Sequence, residues 1–336
     1  MIYPEFRHDL ISGSWVLIAP KRALRPHELK VQKRQERRKE TCPFESPYEE
    51  NILISQYGEG DAWRVAAIEN KYPAVVHEWR AMKNRKSPLY ECVAGAGHHE
   101  IVITRSHTMN FSALAPRAAE EVFLMFQDRY RALMKEKEIA YISIFQNWGA
   151  SAGASIAHPH FQILAVPIIP SVVAHALSSA TSYFKTHRRC VHEAVLAHEL
   201  KEKRRIVFRD REAVSFAPYV SLKPYELHVY PVLHNAYFEE AKPKELRGMV
   251  GALQESLRRM KRSLKDPDYN FFIHTAPVRD KRRHSHYHWH IEIAPKMKID
   301  AGFELGTGIE INSVDPDEAA RLLSRATPPH SGTPGR

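Results

Sequence analysis

Three polar side chains stand at alternate positions in His158-Pro159-His160-Phe161-Gln162, directly behind the small-residue run Asn147-Trp148-Gly149-Ala150-Ser151-Ala152-Gly153-Ala154-Ser155. On an extended segment alternate side chains share one face, so His158, His160 and Gln162 converge on one spot. A neutral imidazole is the common side chain that can attack phosphorus or carry a proton near physiological pH. The backbone amides of a Gly/Ala/Ser loop can cradle phosphate oxygens. The pattern predicts chemistry at the phosphate of a nucleotide.

Placing such a motif takes strands and a helix, and the chain carries that arrangement twice. In the first half the alternating segment Glu100 to His107 precedes a helix predicted over 117–138, where Val122, Met125, Phe126, Tyr130 and Leu133 recur at helical spacing. The strand-like Tyr141 to Asn147 comes next, then the small-residue loop and the histidine motif, running to Pro167. In the second half Glu226 to His234 precedes a helix predicted over 244–265, striped by Leu246, Met249, Val250, Leu253, Leu257, Met260 and Leu264. Phe271 to His274 follows, and after a basic loop His286 to Pro295. Overlaying the two motifs puts His286, His288 and His290 on His158, His160 and Gln162, with His234 answering His107. The duplication predicts two copies of one α+β unit meeting along their sheets, with a boundary near residue 185 and a tail of disordered composition over 326–336.

The chain has 336 residues, 43% of them hydrophobic, enough for one large or two ordinary domains with a real core. Three widely spaced cysteines, Cys42, Cys92 and Cys190, make no disulfide framework. No apolar run reaches the length of a membrane span, the N-terminus does not read as a signal peptide, and a cytoplasmic address is expected. The formal charge of +10 favours anionic partners. The basic run Lys30 to Lys39 and the cluster Lys281-Arg282-Arg283 both read as solvated loops, without the interleaved aromatics of a single-strand nucleic-acid binder.

Taken together, these blocks resemble the galactose-1-phosphate uridylyltransferases, the transferase branch of the histidine triad superfamily. The resemblance spans nearly the whole chain: Trp15-Val16-Leu17-Ile18 and Arg22-Ala23-Leu24-Arg25-Pro26, Cys42-Pro43-Phe44, Glu69-Asn70-Lys71-Tyr72-Pro73-Ala74, the His160 block, and Gly302-Phe303-Glu304-Leu305. It implies tandem histidine-triad-like domains, catalytic over 1–185 and supporting over 186–325, built of antiparallel sheets with flanking helices. It implies double displacement: His160 attacks the α-phosphorus of a nucleoside-diphosphate sugar, expels hexose 1-phosphate, and holds the nucleotidyl group until a second sugar phosphate takes it. The His158 carbonyl would fix the His160 tautomer, with Ser155, Asn147 and Gln162 donating to the phosphate beside Gly153 of the cradle. Asn70 would contact the ribose, Arg22, Arg25 and Lys298 the phosphates, and Glu304 and Asn312 the hexose. The family's site is shared between subunits, so a homodimer is implied.

The resemblance also implies metals. Structural zinc would sit on Cys42, His107 and His158, with Glu45 standing where the family has a second cysteine; zinc accepts carboxylate oxygen as well as thiolate and imidazole. A second metal, iron or zinc, would use His274, His288 and His290, although the family's glutamate is replaced by Ala176, beside His175. The expected reaction is uridylyl transfer from UDP-glucose to galactose 1-phosphate. The alternative is an adenylyl-transferring relative, an ADP-glucose phosphorylase or a diadenosine tetraphosphate phosphorylase, with phosphate as acceptor. Lys71 and Asn312, which depart from the uridylyltransferase pattern, keep that alternative open, whereas Glu304 favours a sugar acceptor. A non-catalytic nucleotide- or RNA-binding protein is the reading from another class, motivated by the basic charge.

Overall fold

Alternating apolar residues write strands, and the long strands fall where the two sequence copies place them. In this computed structural model, which describes residues 3–24, 39–49, 51–78 and 85–326, β1 (Glu5–His8) and β2 (Trp15–Ile18) form an N-terminal hairpin. The first copy comprises β3 (Leu53–Tyr57), β4 (Val65–Glu69), the short pair β5 (Arg85–Lys86) and β6 (Glu91–Cys92), β7 (His98–Thr104), α1 (Pro116–Leu133), β8 (Tyr141–Trp148) and β9 (His160–Val166). Two helices, α2 (Ser171–His187) and α3 (Val191–Glu202), lead to β10 (Ile206–Arg209), β11 (Ala213–Phe216), β12 (Leu227–Pro231), α4 (Pro243–Leu264), β13 (Tyr269–His274) and β14 (His290–Pro295). The described chain closes with α5 (Gly302–Thr307), β15 (Glu310–Asn312), which pairs with β2, and α6 (Pro316–Ser324). Arg25, the basic run over 30–38 and the tail over 327–336 lie outside the described residues.

The fold is α+β, and its two copies share one sheet. Ten strands run in the order β10-β11-β12-β14-β13-β8-β9-β7-β4-β3, every neighbouring pair antiparallel. The copies join where β13 pairs with β8, from Tyr269 opposite Trp148 to Ile273 opposite Ile144. The predicted stripes of α1 and α4 are buried in a single core that also holds Phe161 and Phe271. Each helix also straps the other copy. Gln127 of α1 donates to the carbonyls of Phe238 and Ala241 at 2.9 and 3.0 Å, and Gln254 of α4 to those of Phe111 and Leu114, both at 2.9 Å. Buried amides of this kind must be satisfied, so the straps fix the helices' positions.

Several boundaries differ from the sequence reading. Helix α1 stops at Leu133 because the polar run after Met134 tightens instead of continuing, with the Lys135 and Glu136 amides donating to Ala132 and Leu133, three residues back. Strand β14 opens at His290 rather than His286, since residues 281–284 form a short 3-10 turn and the Tyr287 amide closes on the His284 carbonyl.

That late start corrects the overlay of the two histidine motifs. His290 opens β14 as His160 opens β9, and each Nδ1 donates to the carbonyl two residues earlier, at 3.0 Å to His288 and 2.9 Å to His158. The true equivalents are therefore His288, His290 and Glu292, while His286 stacks on Phe184.

Candidate active site and metal centres

His160 is nearly buried, 6% exposed, at the start of β9. A carbonyl can only accept, so the 2.9 Å contact with His158 O places the proton on Nδ1 and leaves Nε2 with its lone pair. Burial holds this ring below the ordinary histidine range, against the opposing pull of that carbonyl, so the neutral form persists. Phe44 packs 5.2 Å from the ring.

The ring opens into a cavity of about 620 Å³ whose walls bring together Asn70, Asn147, Gly153, Ser155, His160 and Gln162. The cradle between β8 and β9 is set by its glycines. Gly149 has φ +87°, and a Cβ there would fall 1.8 Å from the Asp268 carboxylate, which takes the Ser151 amide at 2.9 Å and its hydroxyl at 2.7 Å. Gly153, at φ +89°, turns the chain back beside Asn147, whose Oδ1 is held by Asn270 at 2.8 Å.

His99, which the sequence reading did not single out, also lines the cavity. The Ala74 amide donates to its Nδ1 at 3.1 Å, so Nε2 carries the proton and donates to Gln162 Oε1 at 2.9 Å. The amino end of Gln162 is thereby the end left for a ligand, and His99 ties it to the Asn70–Ala74 lip. Alternation along β7 was the available signal, since His99 and Ile101 share the face that meets Gln162.

Cys42, Glu45, His107 and His158 converge, their donor atoms within 4.8 Å of one another. The His158 Nε2 donates to the Thr104 carbonyl at 2.7 Å, which turns Nδ1 toward Cys42 Sγ, 3.5 Å away, and Glu45 Oε1, 3.4 Å away. An imidazole oriented by a carbonyl, beside a thiol, a carboxylate and a second imidazole, is a donor set that fits zinc.

Three of these four donors recur in the second copy, where the sequence reading missed them. Cys190, Glu193 and His234 also cluster within 4.8 Å, and the spacing Cys190-x-x-Glu193 repeats Cys42-x-x-Glu45. The His288 ring lies 5.1 Å from that of His234, as His158 lies 5.2 Å from His107. Burial pushes the Cys190 thiol up to about 11.

The set expected at His274, His288 and His290 is not brought together. His288 faces His234, His290 is stacked between His274 and Tyr230 at 4.7 and 4.5 Å, and His274 meets Glu292 at 3.1 Å. The reason is that His288 precedes β14 and meets His234, whereas His274 and His290 face each other across the sheet. Buried Glu226 and half-buried His228 and Glu292 form a further cluster there.

The remaining expected ligands stand apart from this cavity. Arg22 follows β2, which pairs with β15, and Lys298 donates to Glu304 at 3.0 Å and to the Ile311 carbonyl at 2.8 Å. The expected contact of Asn312 with a hexose is corrected by its burial. It is 0% exposed, its amino group donates to the Ser221 and Lys223 carbonyls, and its Oδ1 accepts from Val314. No helix among the described residues is long and apolar enough to cross a membrane.

Known proteins with this arrangement can now be compared. The sequence model of the galactose-1-phosphate uridyl transferase N-terminal domain matches residues 2–170. An ADP-glucose phosphorylase of Arabidopsis thaliana is 30% identical over 328 residues, 95% of this chain and 92% of the relative. The chain belongs to the galactose-1-phosphate uridylyltransferase family. A galactose-1-phosphate uridylyltransferase of Thermotoga maritima is 25% identical, with 95% of this chain and 97% of the relative covered. The crystal structure of an Arabidopsis thaliana ADP-glucose phosphorylase with bound ADP-glucose superposes with a TM-score of 0.84 at 28% identity, covering 96% of this chain and 98% of that one. As a member of this family the protein is a nucleotidyltransferase of the hexose 1-phosphate class.

Proposed function

We propose that the protein transfers a nucleotidyl group through a covalent intermediate on His160, with UDP-glucose as donor and galactose 1-phosphate as acceptor. The observation that carries this reading is the locked tautomer: Nδ1 is engaged by the His158 carbonyl while Nε2 faces the cavity. Nε2 attacks the α-phosphorus, a P–N bond forms, the P–O bond to the β-phosphate breaks, and hexose 1-phosphate leaves. A phosphate oxygen of the acceptor then attacks the same phosphorus and returns the electron pair to Nε2. Asn147, Ser155, Gln162 and the amides near Gly153 stabilise the charge on the non-bridging oxygens, and Asn70 holds the ribose.

Zinc fits Cys42, Glu45, His107 and His158, and in the second copy Cys190, Glu193 and His234, with the His288 ring beside His234. When bound, it supplies structural cross-linking near the nucleophile. Arg22, Lys298 and Glu304 stand away from the chain's own cavity, which supports a homodimer in which they complete the partner's site. Residues 1–185 are then the catalytic copy and 186–325 the supporting copy.

A second reading, ADP-glucose as donor and inorganic phosphate as acceptor, is favoured by two observations. The ADP-glucose phosphorylase relative shares 30% identity against 25% for the Thermotoga maritima uridylyltransferase. Asn312 is withdrawn from any sugar by its burial. Incubation with UDP-glucose or ADP-glucose labelled at the α-phosphate should leave an acid-labile, base-stable label on the protein, absent in His160→Asn. Labelling of that variant would refute the nucleophile. Release by galactose 1-phosphate or by phosphate distinguishes the two readings.

A further inference from the structure

A third group of metal-ligating side chains lies outside the cavity and outside both cysteine centres. His98 opens β7, Glu136 lies just past the end of α1, and His77 stands in the segment that continues from the cavity lip. His98 Nε2 is 2.8 Å from Glu136 Oε1, His77 Nδ1 is 3.7 Å from Glu136 Oε2, and the two imidazole centroids are 4.3 Å apart. The donor atoms of all three lie within 4.8 Å of one another.

We propose that His77, His98 and Glu136 bind a divalent transition-metal ion, of the zinc, nickel or copper type, that staples the lip of the catalytic cavity to the first-copy scaffold. Two imidazoles and one carboxylate match borderline cations, whereas calcium and magnesium prefer an all-oxygen shell. One cation satisfies a lone pair of each ring and the carboxylate together. His77 is 62% exposed at its side chain, so water completes the shell and the ion exchanges with solvent.

The backbone makes this a staple. The segment carrying His77 is held to the chain before β7 by the Val76 amide on the Gly95 carbonyl at 3.2 Å and the Gly97 amide on the Val76 carbonyl at 2.9 Å. Gly97 packs so closely on the Ala165 carbonyl of β9 that a Cβ there would fall 2.1 Å from it, so the His98 side of the site is fixed. A few residues earlier the same segment contributes Asn70, Lys71 and Tyr72 to the cavity wall, and its Ala74 amide holds His99. An ion at His77 therefore restrains the lip at both ends.

The test titrates the purified protein, as isolated with its tightly held metals, with zinc ion by equilibrium dialysis and metal analysis. Wild type should take up one zinc ion per chain more than His77→Ala, whose changed side chain is exposed, and His98→Gln should match His77→Ala. Equal uptake by wild type and His77→Ala overturns the site and leaves an ion pair only. In wild type, zinc should slow dissociation of bound UDP-glucose or ADP-glucose severalfold, with no such effect in His77→Ala. Uptake without that slowing overturns the staple. Zinc uptake is read without catalysis, so failure of the His160 labelling reading is separately visible.

Discussion

His99 links three groups that must agree for phosphate to be gripped: the Ala74 amide, its own ring and the Gln162 amide. Replacing it with Leu removes the donor that orients Gln162, and the rate of His160 labelling should fall roughly tenfold or more, as for other indirect losses of an oxyanion donor. His99→Gln, which restores an N–H near the Nε2 position, should recover most of that rate. In a Gln162→Ala background His99→Leu should cost nothing further; additive losses would show that His99 acts elsewhere. The proposed role of His160 as nucleophile makes a pH prediction. Because burial holds His160 below the usual range, single-turnover labelling should stay level as pH falls through about 6.5, the ordinary midpoint. A rate that halves at that pH would contradict the buried neutral ring. The sequence made His160, Gln162, Ser155, Asn147, Gly153 and Asn70 legible because a two-residue period and a small-residue loop fix local direction. It concealed His99 because a histidine in an apolar strand is read by what lies across the sheet, and Asn312 because burial arises from contacts with the distant Ser221 and Lys223.

At the level of elements, the cradle depends on one backbone conformation. Gly149→Ala puts a methyl group into the Asp268 carboxylate and strains a left-handed residue, so a loss of about 1–3 kcal/mol is expected from urea unfolding, with slower labelling. Unchanged stability would mean that the Ser151–Asp268 anchor is not what shapes the loop. The stripes of α1 and α4 were readable because amphipathic period survives without tertiary context. Helices α2 and α3 were not anticipated. Their small, mixed residues, such as Ala174, Ala176, Ser178, Ser179 and Ala180, carry only a weak stripe, and tertiary packing decides them. The two-residue slip in the second histidine motif had a similar origin, since three alternating histidines offer two equally good overlays and only the turn before β14 chooses between them.

For the whole molecule, buried imidazoles set the response to acid. Burial depresses His160, and depresses His192 and His290 well below the ordinary range with help from neighbouring imidazoles. Their folded values lie below the unfolded value, so their contribution is fully present above about pH 6.5 and is lost as pH falls below it, by up to about 1.4 kcal/mol per pH unit for each. His228 works in the opposite sense. Burial disfavours its charge, but Glu226 and Glu292 outweigh that and raise it, giving stability at low pH that is lost as pH rises through its folded value. With seven depressed rings, those of His158, His160, His192, His284, His286, His288 and His290, against one raised, urea unfolding should show lower stability at pH 5.5 than at pH 7.5, and the reverse order would refute the assignment. Zinc at the proposed centres would make a chelator at neutral pH lower Tm by several degrees, less so in Cys42→Ser, whose first centre lacks a ligand. The shared sheet and the reciprocal straps of Gln127 and Gln254 further predict one calorimetric transition rather than two.

The antiparallel seam between β8 and β13 also bears on assembly. A lone copy would end at that strand with its peptide groups unpaired, an edge that binds any matching strand offered to it. The nearest matching strand belongs to an identical chain turned by half a revolution, which is the arrangement the two copies adopt here. A single copy would thus form a symmetric pair closed along this seam, and the covalent link between the two copies spares a search step between molecules.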